Sequence, residues 1–292
     1  MMIKMKGESM NKYLIVSDTT SALDAKLAEQ YDIELVSLSV IIDKQEYKDQ
    51  INITTNQLYD QLREGKIPTT SQPNQAYVQE LMQQWKKENY DAIFIITCSS
   101  DLSGTYNGFN LAKDTVGMDN LYIIDSRQVG SPIMDMAIHA KELANNGASI
   151  DEIINAIKYK TDNSFSFLYP ANFTQLKKGG RLSPAAANIA SMLKIQALLY
   201  LKEDGSCVEM FSLSRSESKI IQTIVNKFKE LHVLANTHKI YLAHADNLKR
   251  AEKIKARLNE EFQGIEFIIS ALPAVLTCHG GLGCVSIHSI IK

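Results

Sequence analysis

Two hydroxyl-rich stretches, about thirty residues apart and both read as turns, carry side chains suited to holding a small acidic group. The first is Thr69-Thr70-Ser71-Gln72-Pro73. The second is Ser99-Ser100-Asp101-Leu102-Ser103-Gly104-Thr105-Tyr106, directly after an apolar run at 92–98. Serine and threonine hydroxyls donate hydrogen bonds without adding charge. A short, β-branched apolar run reads as a buried strand, and the pattern after Gly104 is helical. The second segment therefore falls between the carboxyl end of a strand and the amino end of a helix. In open α/β sheets ligands bind there, and the exposed N–H groups favour an anion. The same residue types also serve as ordinary caps and turns. Each segment alone fits local structure; together they suggest a site.

Lys177-Lys178-Gly179-Gly180-Arg181 offers a second chemistry, since paired glycines let backbone N–H groups approach a phosphate closely. It reads equally well as a glycine cap after a helix with lysines in its last turn. Of six histidines, His139, His232, His238 and His288 read as helix or surface residues, and His244 ends a strand. His279 falls in the glycine-rich stretch His279-Gly280-Gly281-Leu282-Gly283, expected to be a loop that restrains its side chain little. There is no G-x-x-x-x-G-K-[ST] phosphate loop, and Ser286 stands where a dinucleotide fingerprint needs its third glycine. H-E-x-x-H and G-x-S-x-G are also missing. Cys98, Cys207, Cys278 and Cys284 form no C-x-x-C pair, which indicates neither a zinc site nor a disulfide framework. No cofactor is expected.

These groups need a scaffold, and 292 residues suffice for two domains, each with its own core. A net charge of −2 and a pI near 6.3 speak against a nucleic-acid footprint. The apolar runs are far shorter than the ~20 residues that span a bilayer. Residues 1–11 carry lysines but no apolar core of a secretory signal, so the chain reads as cytoplasmic, with Met10 a candidate native start. Strand patterns at 13–17, 34–42, 92–98 and 121–125 alternate with helical ones at 23–31, 54–63, 74–87, 104–115 and 134–145, which implies a mostly parallel sheet. Ser149-Ile150-Asp151-Glu152 resembles a capping box opening one more helix, to about 159. Beyond it, Glu203-Asp204-Gly205-Ser206 joins strands at 195–202 and 207–213 as a hairpin, because Asp-Gly supplies positive φ. Pro184 opens an alanine-rich helix to about Leu193. Helices at 218–232 and 248–261 and strands at 239–244 and 264–270 complete a mixed sheet. The expected fold is α/β with two domains, a parallel-sheet domain at 12–162 and a mixed-sheet domain at 163–292.

With these motifs in order along the chain, it resembles the DegV family, the fatty-acid-binding subunit of the bacterial two-component fatty acid kinase. The resemblance rests on Ser17-Asp18-Thr19-Thr20, Thr70-Ser71-Gln72-Pro73, Ser99-Ser100-x-Leu102-Ser103-Gly104-Thr105-Tyr106 and Ile124-Asp125-Ser126-Arg127. It continues through Leu176-Lys177-Lys178-Gly179-Gly180-Arg181-Leu182-Ser183, Ser214-Arg215 and His279-Gly280. The chain departs from the family's His-x-Gly-Pro-Gly in its last loop, and Ile195-Gln196-Ala197-Leu198-Leu199 replaces a lysine-proline step. Pro132 stands where members often have small residues.

The resemblance implies an acyl tunnel between the domains, with the carboxylate held by hydroxyls among Thr70, Ser71, Ser100 and Ser103 and by His279 or a water. It implies that a separate ATP-dependent fatty acid kinase subunit makes the acyl phosphate for phospholipid metabolism, with Arg181 and Arg215 as a positive rim for that partner or its phosphate. Transient contact with a membrane surface is compatible with such a ligand. Two other readings stand beside it. One is a lipid-binding, transport or regulatory protein that acts without a kinase. The other is a hydrolase with Ser103 or Ser100 as nucleophile, His279 as base and Asp18 as orienter.

Overall fold

The computed structural model describes residues 11–189 and 195–292. The candidate start at Met10 and the end of the alanine-rich helix near Leu193 lie outside the described residues. In chain order, β1 (Tyr13–Asp18), a 3-10 turn at Thr19–Ser21 and α1 (Ala25–Gln30) lead to β2 (Glu34–Val36), β3 (Ser39–Ile42) and β4 (Gln45–Lys48). Next come α2 (Thr55–Arg63), β5 (Thr69–Ser71), α3 (Gln75–Lys87), β6 (Ala92–Thr97), α4 (Thr105–Val116), β7 (Leu121–Asp125), α5 (Ser131–Asn145) and α6 (Ile150–Asp162). Then follow β8 (Phe165–Tyr169), α7 (Thr174–Gly179), α8 (Pro184–Ile189), β9 (Gln196–Leu201), β10 (Val208–Ser214) and α9 (Glu217–Glu230). The chain ends with β11 (His238–His244), α10 (Leu248–Glu261), β12 (Glu266–Ala271), α11 (Ala274–Gly280) and β13 (Val285–Ile291).

The first sheet is parallel, in the order β2-β1-β6-β7. Its central strand β6 is buried along its whole length, as its unbroken apolar sequence requires. Capping boxes start α2 at Thr54 and α6 at Ser149. The second sheet is mixed, in the order β10-β9-β8-β13-β11-β12, with only the β11–β12 pair parallel. One of its faces, with Phe167, Leu198, Ile240 and Val285, packs with the apolar sides of α9 and α10. Its other face contributes Leu201, Tyr241 and Ile290 to a core shared with α5 and with Ile15, Phe94 and Ile96 of the parallel sheet. Helix α5 is therefore apolar on several sides, with Ile133, Met136, Ala137 and Ala140 all buried, as a helix between two sheets must be.

Two expectations change. The strand pattern at 34–42 divides into β2 and β3, because the chain leaves the parallel sheet at Ser37-Leu38, where the Leu38 N–H donates to Thr19 Oγ1 at 3.1 Å. The Thr69–Ser71 stretch is a strand and not a turn, pairing through Thr70 with Val40 in a small antiparallel sheet of order β4-β3-β5. A three-residue strand of polar residues carries too little pattern to be read from sequence.

Candidate functional site

The chain leaves β1 toward β2 on one side and β6 toward β7 on the other, so the order of the parallel sheet reverses between β1 and β6. A cavity opens at the carboxyl ends of these strands, where a crevice is expected at such a point. Thr20 enters it after β1, Leu102 and Ser103 after β6, and Gly130 at the start of α5. The small sheet lends Thr70, Ser71 and Gln72, and α11 lends Leu276, His279 and Gly280. Leu168 of β8, Leu176 of α7 and Val208 of β10 close it from the mixed-sheet side.

The mouth is polar and built mostly from neutral groups. Thr70 Oγ1 lies 2.8 Å from His279 Nε2, joining β5 to α11. Burial, with the Arg181 charge second, pushes the His279 imidazole down to about 4, so the ring is neutral at physiological pH. Ser103 Oγ accepts the Thr105 N–H at 3.4 Å and lies 2.9 Å from the Thr105 hydroxyl, just ahead of α4, and Ser103 lines the cavity. A side chain at Gly104 or Gly108 would run into Gln72 or Gln75, so the glycines let α4 meet that segment closely. Arg181 also lines the cavity, and its Nε–H donates to the Leu102 carbonyl at 3.1 Å.

The expected site residues separate into three groups. Thr70, Ser71, Ser103, His279 and Arg181 meet at this cavity. Ser100 does not face it: its N–H donates to Asp125 Oδ1 at 3.3 Å, and neighbouring Ser99 donates through Oγ to the Gly205 carbonyl at 2.8 Å, so that pair ties loops together. Arg215 is exposed and follows the last residue of β10, whereas Arg181 accepts the N–H of Val208, the first residue of β10. The seven residues of β10, about 20 Å of strand, lie between these two backbone positions, and only Arg181 lines the cavity. His279 lies on α11 and not in a loop, because the helix runs on through Gly280. His288, read as a helix or surface residue, is a buried strand residue at the inner end of the cavity. The wiring of a Ser-His-Asp triad is not in place, since Asp18 bonds Thr20 and the Cys98 N–H while His279 bonds Thr70.

Sequence reasoning missed Thr20, Ser286 and His288. The alternation of β13, in which Ser286 and His288 share a face with Leu168 and Ser166 of β8, is the signal that could have placed them.

Comparison with known proteins agrees with this architecture. The family model described as "Uncharacterised protein, DegV family" matches residues 12–292. A Thermotoga maritima protein named "Fatty acid-binding protein" is 30% identical over 284 residues, covering 94% of this chain and 96% of its own. The solved structure of DegV from Bacillus subtilis, described as a fatty acid binding protein, is 28% identical with a TM-score of 0.84, covering 97% of this chain and 100% of its own. A Streptococcus agalactiae protein, described as a fatty acid binding DegV family protein, is 25% identical with a TM-score of 0.87, covering 97% of this chain and 99% of its own.

Proposed function

The chain belongs to the DegV family, and we propose that it binds a long-chain fatty acid and presents the carboxylate to a separate ATP-dependent kinase. The observation that carries this reading is a cavity with apolar walls whose mouth is lined by Thr70, Ser71, Ser103 and His279. A buried acyl chain gains about 0.8 kcal/mol per methylene, on the order of 10 kcal/mol for a sixteen-carbon tail. The carboxylate resists burial, and hydrogen bonds of roughly 1.5–3 kcal/mol each to a charged acceptor offset that cost. Neutral hydroxyls orient the group without closing a bidentate ion pair, which leaves an oxygen open to phosphorylation. The sequence has no phosphate loop of its own, in keeping with ATP being held by the partner. Ser100 is left out of the carboxylate site, and the protein is taken to act without catalysis of its own, in the cytoplasm. Residues 12–162 and 163–292 are the proposed domains on either side of the ligand.

Mass spectrometry of an organic extract of the purified protein tests the reading, together with titration of delipidated protein with palmitate. The expected result is one long-chain acid per chain, with no acyl phosphate from ATP and palmitate until a fatty acid kinase is added. Absence of both a co-purifying acid and palmitate binding overturns it. Ester hydrolysis lost in Ser103→Ala would favour the hydrolase instead.

A further inference from the structure

The inner end of the cavity is polar, which a plain alkyl tail does not explain. Thr20, Ser286 and His288 line it among apolar neighbours such as Leu38, Val129 and Leu276. Gly130 adjoins Thr20, His288 and Leu276: its N–H donates to the Thr20 carbonyl at 2.9 Å, and a Cβ there would lie 3.6 Å from both His288 Nε2 and Leu276 Cδ1.

The direction of each hydrogen bond here can be followed. Asp18 accepts the Thr20 N–H at 2.8 Å and the Cys98 N–H at 3.2 Å, and the Thr20 hydroxyl donates to it as well. A second chain of bonds, leading to β13, starts at Gln128 before α5, whose Oε1 accepts the hydroxyl of Ser166 on β8 at 2.9 Å. Ser166 Oγ then accepts from His288 Nδ1–H at 2.8 Å. A neutral imidazole has one donor and one acceptor, so Nε2 takes the Ser286 hydroxyl at 2.9 Å. Burial supports the neutral ring, holding His288 down to about 3. Among the described residues, the other acceptor that Ser286 Oγ meets is the Ala243 carbonyl, at 3.5 Å. Both inner hydroxyls thus give their hydrogens to the protein, and their oxygens, on residues that line the cavity, keep lone pairs with which to accept.

Acceptors in an apolar wall call for a donor. A second carboxylate would be repelled, and an ammonium would find no free carboxylate facing it. A neutral hydroxyl fits. We propose that the preferred ligand is a hydroxylated long-chain acid whose chain hydroxyl donates to Ser286 Oγ or Thr20 Oγ1. This rests on the fatty-acid reading above and narrows its ligand class.

Affinities of delipidated protein for stearate and for hydroxystearates, with the hydroxyl near the carboxyl, mid-chain or toward the methyl end, test it. At least one hydroxystearate should bind about tenfold more tightly than stearate, the effect of one buried hydrogen bond. That ratio should fall to within about twofold in Ser286→Ala or Thr20→Val; two sites are used so that one folded variant suffices, with folding checked by melting. Equal affinities for all the acids, as when a water serves these acceptors, overturn the proposal but leave the fatty-acid reading standing. A preference that survives both substitutions also overturns it. If neither stearate nor any hydroxystearate binds, the fatty-acid reading itself fails and this inference with it.

Discussion

With Thr70 Oγ1 2.8 Å from His279 Nε2, the position of one hydrogen decides what the mouth offers a ligand. If the threonine donates to the ring, its lone pairs face the carboxylate and repel it. If Nε2–H donates to Thr70, the hydroxyl hydrogen is free to bond the carboxylate, so the fatty-acid reading requires the second arrangement. Removing the donor in His279→Ala should weaken palmitate binding by about 1–3 kcal/mol in titration, as should Ser103→Ala. Asp49 makes a different prediction. It is fully buried, and neither carboxylate oxygen meets a hydrogen-bond partner, although Thr19 and the Gln50 and Val275 N–H groups lie near. Burial first, with the charge of Asp18 adding to it, pushes its carboxyl up to about 7. The folded protein then holds a proton that the unfolded chain releases near the ordinary value of 3.8. Between about pH 4 and 7, stability therefore falls as pH rises, by at most about 1.4 kcal/mol per unit from this group. Asp49→Asn removes that slope, so melting curves should show the variant gaining on the wild type as pH climbs through the window, and parallel curves would refute the assignment. Among single residues, Ser103 was legible in sequence because it follows the apolar strand pattern at 92–98, and Thr70 and Ser71 because hydroxyls cluster there. His288 was not, because the alternation of β13 puts it with Ser286 on what looks like the polar face of the strand, and that face is buried too.

At the scale of elements, α5 and α6 are tied to β11 by charge as well as by packing. Lys160 Nζ lies 2.7 Å from Asp135 Oδ1 and donates to the Ile291 carbonyl at 2.7 Å, and the Tyr241 hydroxyl donates to Asp135 Oδ2 at 2.7 Å. The paired side chains are only 4% and 5% exposed, so removing one partner strands a charge. Lys160→Met should cost about 3 kcal/mol by chemical denaturation, and Asp135→Asn added to it should recover part of that loss. A Lys160→Met protein as stable as the wild type would mean that Tyr241 and Lys239, at 3.6 Å from Asp135, suffice on their own. The long amphipathic helices were readable: the sequence pattern at 248–261 coincides with α10, and Ser149 caps α6 as its capping box implied. Short elements were not. α11 spans His279-Gly280 although the glycines there suggested a loop, since packing of Val275 and Cys278 against Val40 and Leu58 outweighs their weak helix propensity.

For the whole molecule, the roughly strand-long separation of Arg181 and Arg215 distinguishes their roles. Arg181 lines the cavity, whereas Arg215 is exposed beyond it. Arg215→Ala should leave palmitate affinity unchanged, and if Arg215 meets the kinase, it should slow kinase-dependent acyl phosphate formation and reduce the salt sensitivity of that association. Arg181→Ala should change palmitate affinity as well, and equal behaviour of the two variants in both assays would refute the distinction. The alternation of strands and helices made the two sheets legible, but not their docking through α5, which depends on residues such as Tyr241 and Ile290 that lie far apart in the chain. At the Asp204-Gly205 hairpin, the Ser99 hydroxyl grips the Gly205 carbonyl at 2.8 Å, and a Cβ on Gly205 would come within 2.9 Å of Arg127 Cα. The hairpin thus works as a clasp, and α5 as a wedge packed between both sheets. If the fatty-acid reading holds, such fastening is expected to resist a sideways release. An acid would then slip out lengthwise past Leu176 of α7 and His279 of α11, and the time it stays would be set by how often those helices part and not by how dilute the surroundings are.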